Sequence, residues 1–243
     1  RMDRPEGVRS AVSQEHTTLR QRLESVEDRI IRACARSGRS RDEVRLIAVT
    51  KYVSAERMRE LMDLGLSHVG ENRWQDAAPK WELLGSRGTW HFIGHLQTNK
   101  VKDVLGKFAW IHSLDRMSLA VELEKQAAKR GITVNCLVQV NVSGEESKHG
   151  LPPEELVPFI REVSQFPHLN ITGLMTMAPA TDEPESVRPV FAGLRQLRDE
   201  LNESGILDKP LRDLSMGMSG DFEVAIEEGA TWIRVGTALV GNE

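Results

Sequence analysis

Tyrosine and cysteine are nearly missing from this chain: one tyrosine and two cysteines in 243 residues, with aromatic residues at 5%. Cys34 and Cys136 lie far apart and form no CxxC pair, so neither a disulfide framework nor a thiolate metal cluster is indicated. A reducing cytoplasm is the expected compartment. No apolar run approaches the ~20 residues that a membrane helix needs. The opening Arg1-Met2-Asp3-Arg4-Pro5-Glu6 also has no apolar stretch of the secretory type. Charge of one sign is not in surplus either: 32 basic residues face 36 acidic ones, a net charge of −4. That balance excludes a global attraction to nucleic acid or anionic membranes. What remains, 40% hydrophobic and 28% charged, is a globular composition. The N-terminal arginines are interleaved with acids and read as a solvated helix face. The five tryptophans are scattered and read as core residues rather than a stacking platform.

Apolar positions Leu19, Leu23, Val26, Ile30, Ile31 and Ala33 recur at helical spacing, which predicts a helix from Gln14 to Arg36. A β-like run follows at Leu46–Lys51, then a helix over Ala55–Leu64 that stops at Gly65. Strand patterns recur at His68–Asn72, Trp90–Gly94, Ala109–Leu114, Thr133–Val142, Ile171–Met177, Leu211–Met216 and Trp232–Val235. Helical patterns separate them, roughly at 73–84, 97–106, 117–130, 153–165, 184–203 and 220–228. Alternating β and α units imply a parallel sheet, and eight of them without a linker favour closure into a (β/α)8 TIM-type barrel with an extra N-terminal helix. No GxGxxG follows the first strand, which speaks against a doubly wound open sheet. Residues 1–12 are expected to form a flexible N-terminus, and 13–243 the barrel.

Barrel sites sit at the C-terminal ends of the strands. The first strand ends at Thr50-Lys51-Tyr52, where Ile47, Val49 and Lys51 share one face by the period of two. If Val49 points inward, Lys51 stands at the rim, an amine suited to Schiff-base chemistry or a snorkelling lysine. After the seventh strand comes Ser215-Met216-Gly217-Met218-Ser219-Gly220, and after the eighth Arg234-Val235-Gly236-Thr237. Barrels often bind phosphate there, through backbone N–H groups and a helix N-terminus. Asp221 and Glu223 oppose an anion unless they point away. A lysine on strand one and a phosphate cradle on strands seven and eight suit a phosphorylated aldehyde, and pyridoxal phosphate meets both ends. Arg234 would face its ring nitrogen and keep it unprotonated, weakening the ring as an electron sink. A barrel enzyme binding a sugar phosphate through the same loops stays open as an alternative. His91 and His95 lie four apart without clustered partners, so no metal site is expected.

Several segments carry a family resemblance. Trp90-His91-Phe92-Ile93-Gly94-His95-Leu96-Gln97-Thr98-Asn99-Lys100 resembles the signature of the pyridoxal phosphate homeostasis proteins. So do Ala48-Val49-Thr50-Lys51, Val69-Gly70-Glu71-Asn72, Gly173-Leu174-Met175-Thr176-Met177, Ser215–Ser219 and Arg234–Thr237. The resemblance runs from about Glu15 to Gly241. It implies a barrel like the N-terminal domain of alanine racemase, without that enzyme's C-terminal β-domain. It further implies pyridoxal 5′-phosphate held as a Schiff base on Lys51. Ser215, Ser219, Gly236 and Thr237 would hold the phosphate, Arg234 would meet the ring nitrogen, and Gly217 would belong to the same cofactor site. Asn72 and Met175 would line the pocket, with Lys148 as a secondary contact. The sequence departs from the family at Tyr52-Val53-Ser54, where many members carry a proline.

The resemblance implies a carrier that buffers or delivers the cofactor, with apo pyridoxal phosphate enzymes as recipients and neither nucleic acid nor membrane as partner. A monomer is expected. The alternative is a racemase-like enzyme acting on small amino acids. Two-base racemisation needs a second acid/base group opposite the lysine. In alanine racemase a tyrosine of the β-domain supplies it. The single tyrosine here, Tyr52, adjoins Lys51 and on a strand would point to the opposite face. Carrier is therefore the expected role, with no catalytic residue assigned.

Overall fold

Alternation along each strand divides the apolar residues between two shells, and closing the sheet buries both. The computed structural model describes residues 7–146 and 149–241, with side chains from residue 18 onward. Its strands are β1 (Arg45–Val49), β2 (His68–Glu71), β3 (Thr89–Phe92), β4 (Trp110–Leu114), β5 (Val134–Gln139), β6 (Leu169–Met175), β7 (Asp213–Ser215) and β8 (Trp232–Val235). They pair in chain order, β8 returns to β1, and every pairing is parallel. The expected (β/α)8 barrel is the fold.

On β1, Leu46 and Ala48 belong to the large cluster between barrel and helices, whereas Ile47 joins Leu137, Met175 and Trp232 in a small cluster inside the barrel. That parity places Ile47 and Val49 on the inner side, as the period of two predicts, and β1 ends at Val49, two residues short of Lys51. The outer shell is closed by α2 (Ala55–Asp63), α3 (Trp74–Leu84), α4 (Val101–Val104), α5 (Met117–Arg130), α6 (Leu156–Val163), α7 (Arg188–Glu203) and α8 (Phe222–Glu227). A last short helix, α9 (Thr237–Val240), follows β8 and was not predicted. Four residues are too few to show a helical period.

The N-terminal helix α1 spans Gly7–Arg36, and residues 1–6 of the expected flexible segment lie outside the described residues. Leu19, Val26, Ile30 and Ala33 are buried. Its arginines are not simply solvated. Arg29 pairs with Glu223 at 2.7 Å and Arg36 with Glu227 at 3.1 Å, so α1 is tied by charge to α8, and Arg39, just past the helix, donates to the Ile226 carbonyl at 2.7 Å. These pairs also turn Glu223 away from the loop after β7, removing one of the two acids that opposed an anion there.

Candidate functional site

Lys51 lies in a turn just beyond β1 and is half-buried. What holds that turn is a buried ion pair that the sequence patterns did not reveal. Lys80, on the inner face of α3, sends Nζ to within 2.9 Å of the Glu71 carboxylate at the end of β2. The same ammonium donates to the carbonyls of Thr50 at 2.6 Å and Val53 at 3.2 Å, on either side of Lys51. The Thr50 hydroxyl donates to Glu71 as well. Burial pushes the Glu71 carboxyl above its ordinary range, while Lys80 and Thr50 pull it back. The signal was available: Lys80 shares the buried stripe of Ala77 and Leu84 at helical spacing.

Two clefts meet at Lys51. One, of about 330 Å³, is lined by Tyr52, Asn72, Gly94 and His95, and the other, of about 550 Å³, runs to Gly236 and Thr237. Asn72 brings a buried side-chain oxygen without a hydrogen-bond partner. Gly94 lets the loop after β3 close on it, since a Cβ there would sit 2.7 Å from the Asn72 carbonyl oxygen.

The loops after β7 and β8 interlock. The Ser219 hydroxyl accepts from the amides of Gly236 at 3.2 Å and Ala238 at 3.1 Å, so these N–H groups converge on one oxygen. Gly217 has φ +103°, and a Cβ there would approach the Ala225 Cβ to 2.8 Å; no L side chain suits the position. Asp221 accepts from the Met218 amide at 2.7 Å, and burial raises its pKa. Thr237 is exposed beside this cradle.

Arg234 points into the barrel from β8 and is 2% exposed. It donates to Ser215 Oγ at 2.5 Å and to the Thr176 carbonyl at 3.0 Å, and touches Met177 Sδ at 3.2 Å. Three of its five N–H donors are used this way. Burial lowers its pKa to about 10, so it is a cation at neutral pH. Ser215, expected at the phosphate, is fully buried and held instead by Arg234 and by His112 at 2.8 Å. Met175 is fully buried in the inner cluster beneath the site. Lys148 lies outside the described residues.

The two histidines four apart go separate ways: His91 is buried inside the barrel and His95 is exposed at the rim. His95, His149 and Asp115 bring potential ligand atoms within 4.8 Å of one another. The two imidazoles, however, are stacked at 4.3 Å with planes 18° apart, so their in-plane lone pairs do not converge, and Asp115 is already paired with Arg116 at 2.8 Å. Tyr52 is 81% exposed, and its ring centre lies 5.4 Å from Lys51 Nζ. The expected opposition of the two side chains fails because both stand in a turn, where strand alternation no longer applies.

Residues 22–243 match the model of the alanine racemase N-terminal domain. A pyridoxal phosphate homeostasis protein of Aquifex aeolicus is 48% identical, with 91% of this chain and 97% of the relative covered. The chain belongs to this family. Its relative of the same name in Pseudomonas aeruginosa is 42% identical, over 93% of this chain and 96% of the relative. Among solved structures, PipY of Synechococcus elongatus with pyridoxal phosphate bound superposes with a TM-score of 0.80 at 37% identity, covering 92% of this chain and all of PipY. An alanine racemase of Clostridium difficile, at 17% identity and a TM-score of 0.72, shares the barrel. No helix among the described residues is long and apolar enough to cross a membrane.

Proposed function

We propose that this chain binds pyridoxal 5′-phosphate on Lys51 and serves to buffer or deliver it, without turning over amino acids. The observation that carries the reading is the continuity of one cleft from the Lys51 side chain to Gly236 and Thr237. It joins an amine at one end to a cradle of converging amides at the other. When bound, the cofactor supplies an aldehyde that a lysine amine can attack and a phosphate that backbone N–H groups can hold.

The residues present suit that group. Amides of Gly236 and Ala238 already converge on the Ser219 hydroxyl, the arrangement a phosphate oxygen would use, with Ser219 and Thr237 as further donors. Asn72 has an unpaired buried oxygen beside the amine. Arg234 retains N–H capacity for a ring nitrogen and, as a cation, keeps a facing nitrogen unprotonated. Ser215 supports Arg234 rather than the phosphate.

A two-base reaction needs a proton donor across the pocket from the amine. The Tyr52 ring lies beside Lys51 Nζ rather than across from it. His91 has both ring nitrogens engaged by His68 and His112 inside the barrel. Apo enzymes that use the cofactor are the proposed recipients, and the cytoplasm the proposed site of action.

Borohydride treatment of the protein mixed with pyridoxal phosphate, followed by peptide mapping, tests the reading. The added mass is expected on the peptide containing Lys51. Its absence there, or equal labelling of surface lysines, would overturn the assignment.

A further inference from the structure

Barrel interiors of this type are filled mainly by branched aliphatic side chains. Here three histidines stand there on consecutive strands: His68 on β2, His91 on β3 and His112 on β4. His91 and His112 are fully buried, and His68 is half-buried at the start of its strand. His68 Nδ1 lies 3.0 Å from His91 Nε2, His91 Nδ1 lies 2.9 Å from His112 Nε2, and His112 Nδ1 lies 2.8 Å from Ser215 Oγ. Ser215 in turn takes the Arg234 hydrogen bond at 2.5 Å. A continuous chain of hydrogen bonds thus joins His68 to Arg234.

Its direction follows from hydrogen-bond inventory. A guanidinium only donates, so Ser215 Oγ accepts from Arg234. The fully buried hydroxyl proton of Ser215 must then find an acceptor, and the lone pair on His112 Nδ1 is the one in reach. With a proton on that nitrogen, the hydroxyl would be left unsatisfied in a dry site, which is costly. His112 therefore carries its proton on Nε2 and donates to His91 Nδ1. His91 repeats the pattern toward His68. The arginine at one end dictates the tautomer of all three imidazoles.

The surroundings reinforce a neutral chain. Trp232 packs its ring against His68, His91 and His112 at centroid distances of 5.0, 4.7 and 6.3 Å, and Trp110 stacks on His91 at 5.8 Å. The charged groups facing the chain are both cationic: Arg45 from β1, seated over Trp232, and Arg234 from β8. Among the described residues no carboxylate contacts any of the three rings.

We propose that His112, backed by His91 and His68, is a positioning residue: it fixes the Ser215 hydroxyl, and through it holds Arg234 in one orientation toward the ring nitrogen of the bound cofactor. The inference rests on the cofactor reading above. In that reading Arg234 meets the ligand and the histidines act only through it.

Two-bond proton–nitrogen correlation spectra of the imidazoles, taken on the protein before and after adding pyridoxal phosphate, test the chain itself. The imidazoles of His68, His91 and His112 are expected as neutral Nε2–H tautomers in both samples. A protonated ring, or an Nδ1–H tautomer at His112 or His91, would overturn the chain. Two variants then test positioning. His112→Leu removes the acceptor for Ser215, whereas His112→Asn keeps an oxygen near the Nδ1 position. Provided circular dichroism shows both folded, His112→Leu is expected to weaken cofactor affinity about tenfold, shift its visible band and move the Arg234 side-chain resonances. His112→Asn should recover most of each change. Equal behaviour of the two variants, or unchanged Arg234 resonances in His112→Leu, would overturn the positioning role. If the wild type forms no visible band at all, the cofactor reading falls and with it the target assigned to Arg234; the imidazole spectra still decide whether the chain exists.

Discussion

Lys80 makes contacts with two carbonyls and one carboxylate, so the turn carrying Lys51 is anchored by a buried charge rather than by packing alone. Its partner Glu71 is fully buried and Lys80 is nearly so. Removing either member of such a pair leaves the other charge uncompensated and typically costs about 3–5 kcal/mol. Lys80→Met should therefore lower unfolding stability by about that amount in urea titrations. The double variant Glu71→Gln with Lys80→Met should recover much of it, and failure to recover would show that the pair does more than neutralise charge. Cysteine chemistry plays no comparable part: Cys136 is buried and its thiol is pushed up to about 12.

At the scale of elements, the loops after β7 and β8 form one unit because Ser219 binds the amides of Gly236 and Ala238. Ser219→Ala should cost about 1 kcal/mol of stability, as loss of a capping hydroxyl does. It should also weaken binding of both pyridoxal phosphate and inorganic phosphate, measurable by titration calorimetry. Affinity for inorganic phosphate equal to wild type would place the anion elsewhere. Gly173 shows how tightly β6 and β7 approach: a Cβ there would fall 1.9 Å from the Asp213 carbonyl oxygen. Gly173→Ala is accordingly expected to abolish soluble folded protein or to lower its melting temperature sharply.

The elements were largely legible because each strand has a short apolar run and each long helix a clear stripe. Most expected strands run past the C-terminal end of the ladder; Thr133–Val142, for example, shortens to Val134–Gln139, since apolar residues continue into the loop after the ladder ends, whereas Trp232–Val235 matches at both ends. Several predicted helices open with a 3-10 turn, as at Pro153–Glu155 ahead of α6, where proline fixes the first turn but cannot supply an amide.

Across the whole molecule, the barrel gathers into its interior what the sequence scatters. Lys51, Ser219 and Arg234 could be placed from strand ordinals, because barrel sites lie at predictable strand ends. The histidine chain could not, since its members stand on three strands and contact one another only after closure. The sequence carries one trace of it: His68, His91 and His112 each fall on inward parity, one βα unit apart. Burial holds His91 and His112 well below the ordinary histidine range, and nearby cations add to the effect. In the unfolded chain both rings protonate near pH 6.5, whereas the folded protein resists protonation. Depressed folded values give stability that is present above about pH 6.5 and lost as pH falls toward them. Glu71, whose pKa is raised, works with the opposite sign. Urea midpoints should therefore fall as pH drops below about 6.5, and the fall should be shallower in His112→Asn, which lacks one of the two buried rings.

The most direct measurement is the visible absorption spectrum of the protein with pyridoxal phosphate, recorded for wild type and Lys51→Ala. A band shifted from that of free cofactor in wild type and missing from Lys51→Ala is the predicted result. A band that survives in Lys51→Ala, or forms in neither protein, would contradict the assignment of the cofactor to Lys51.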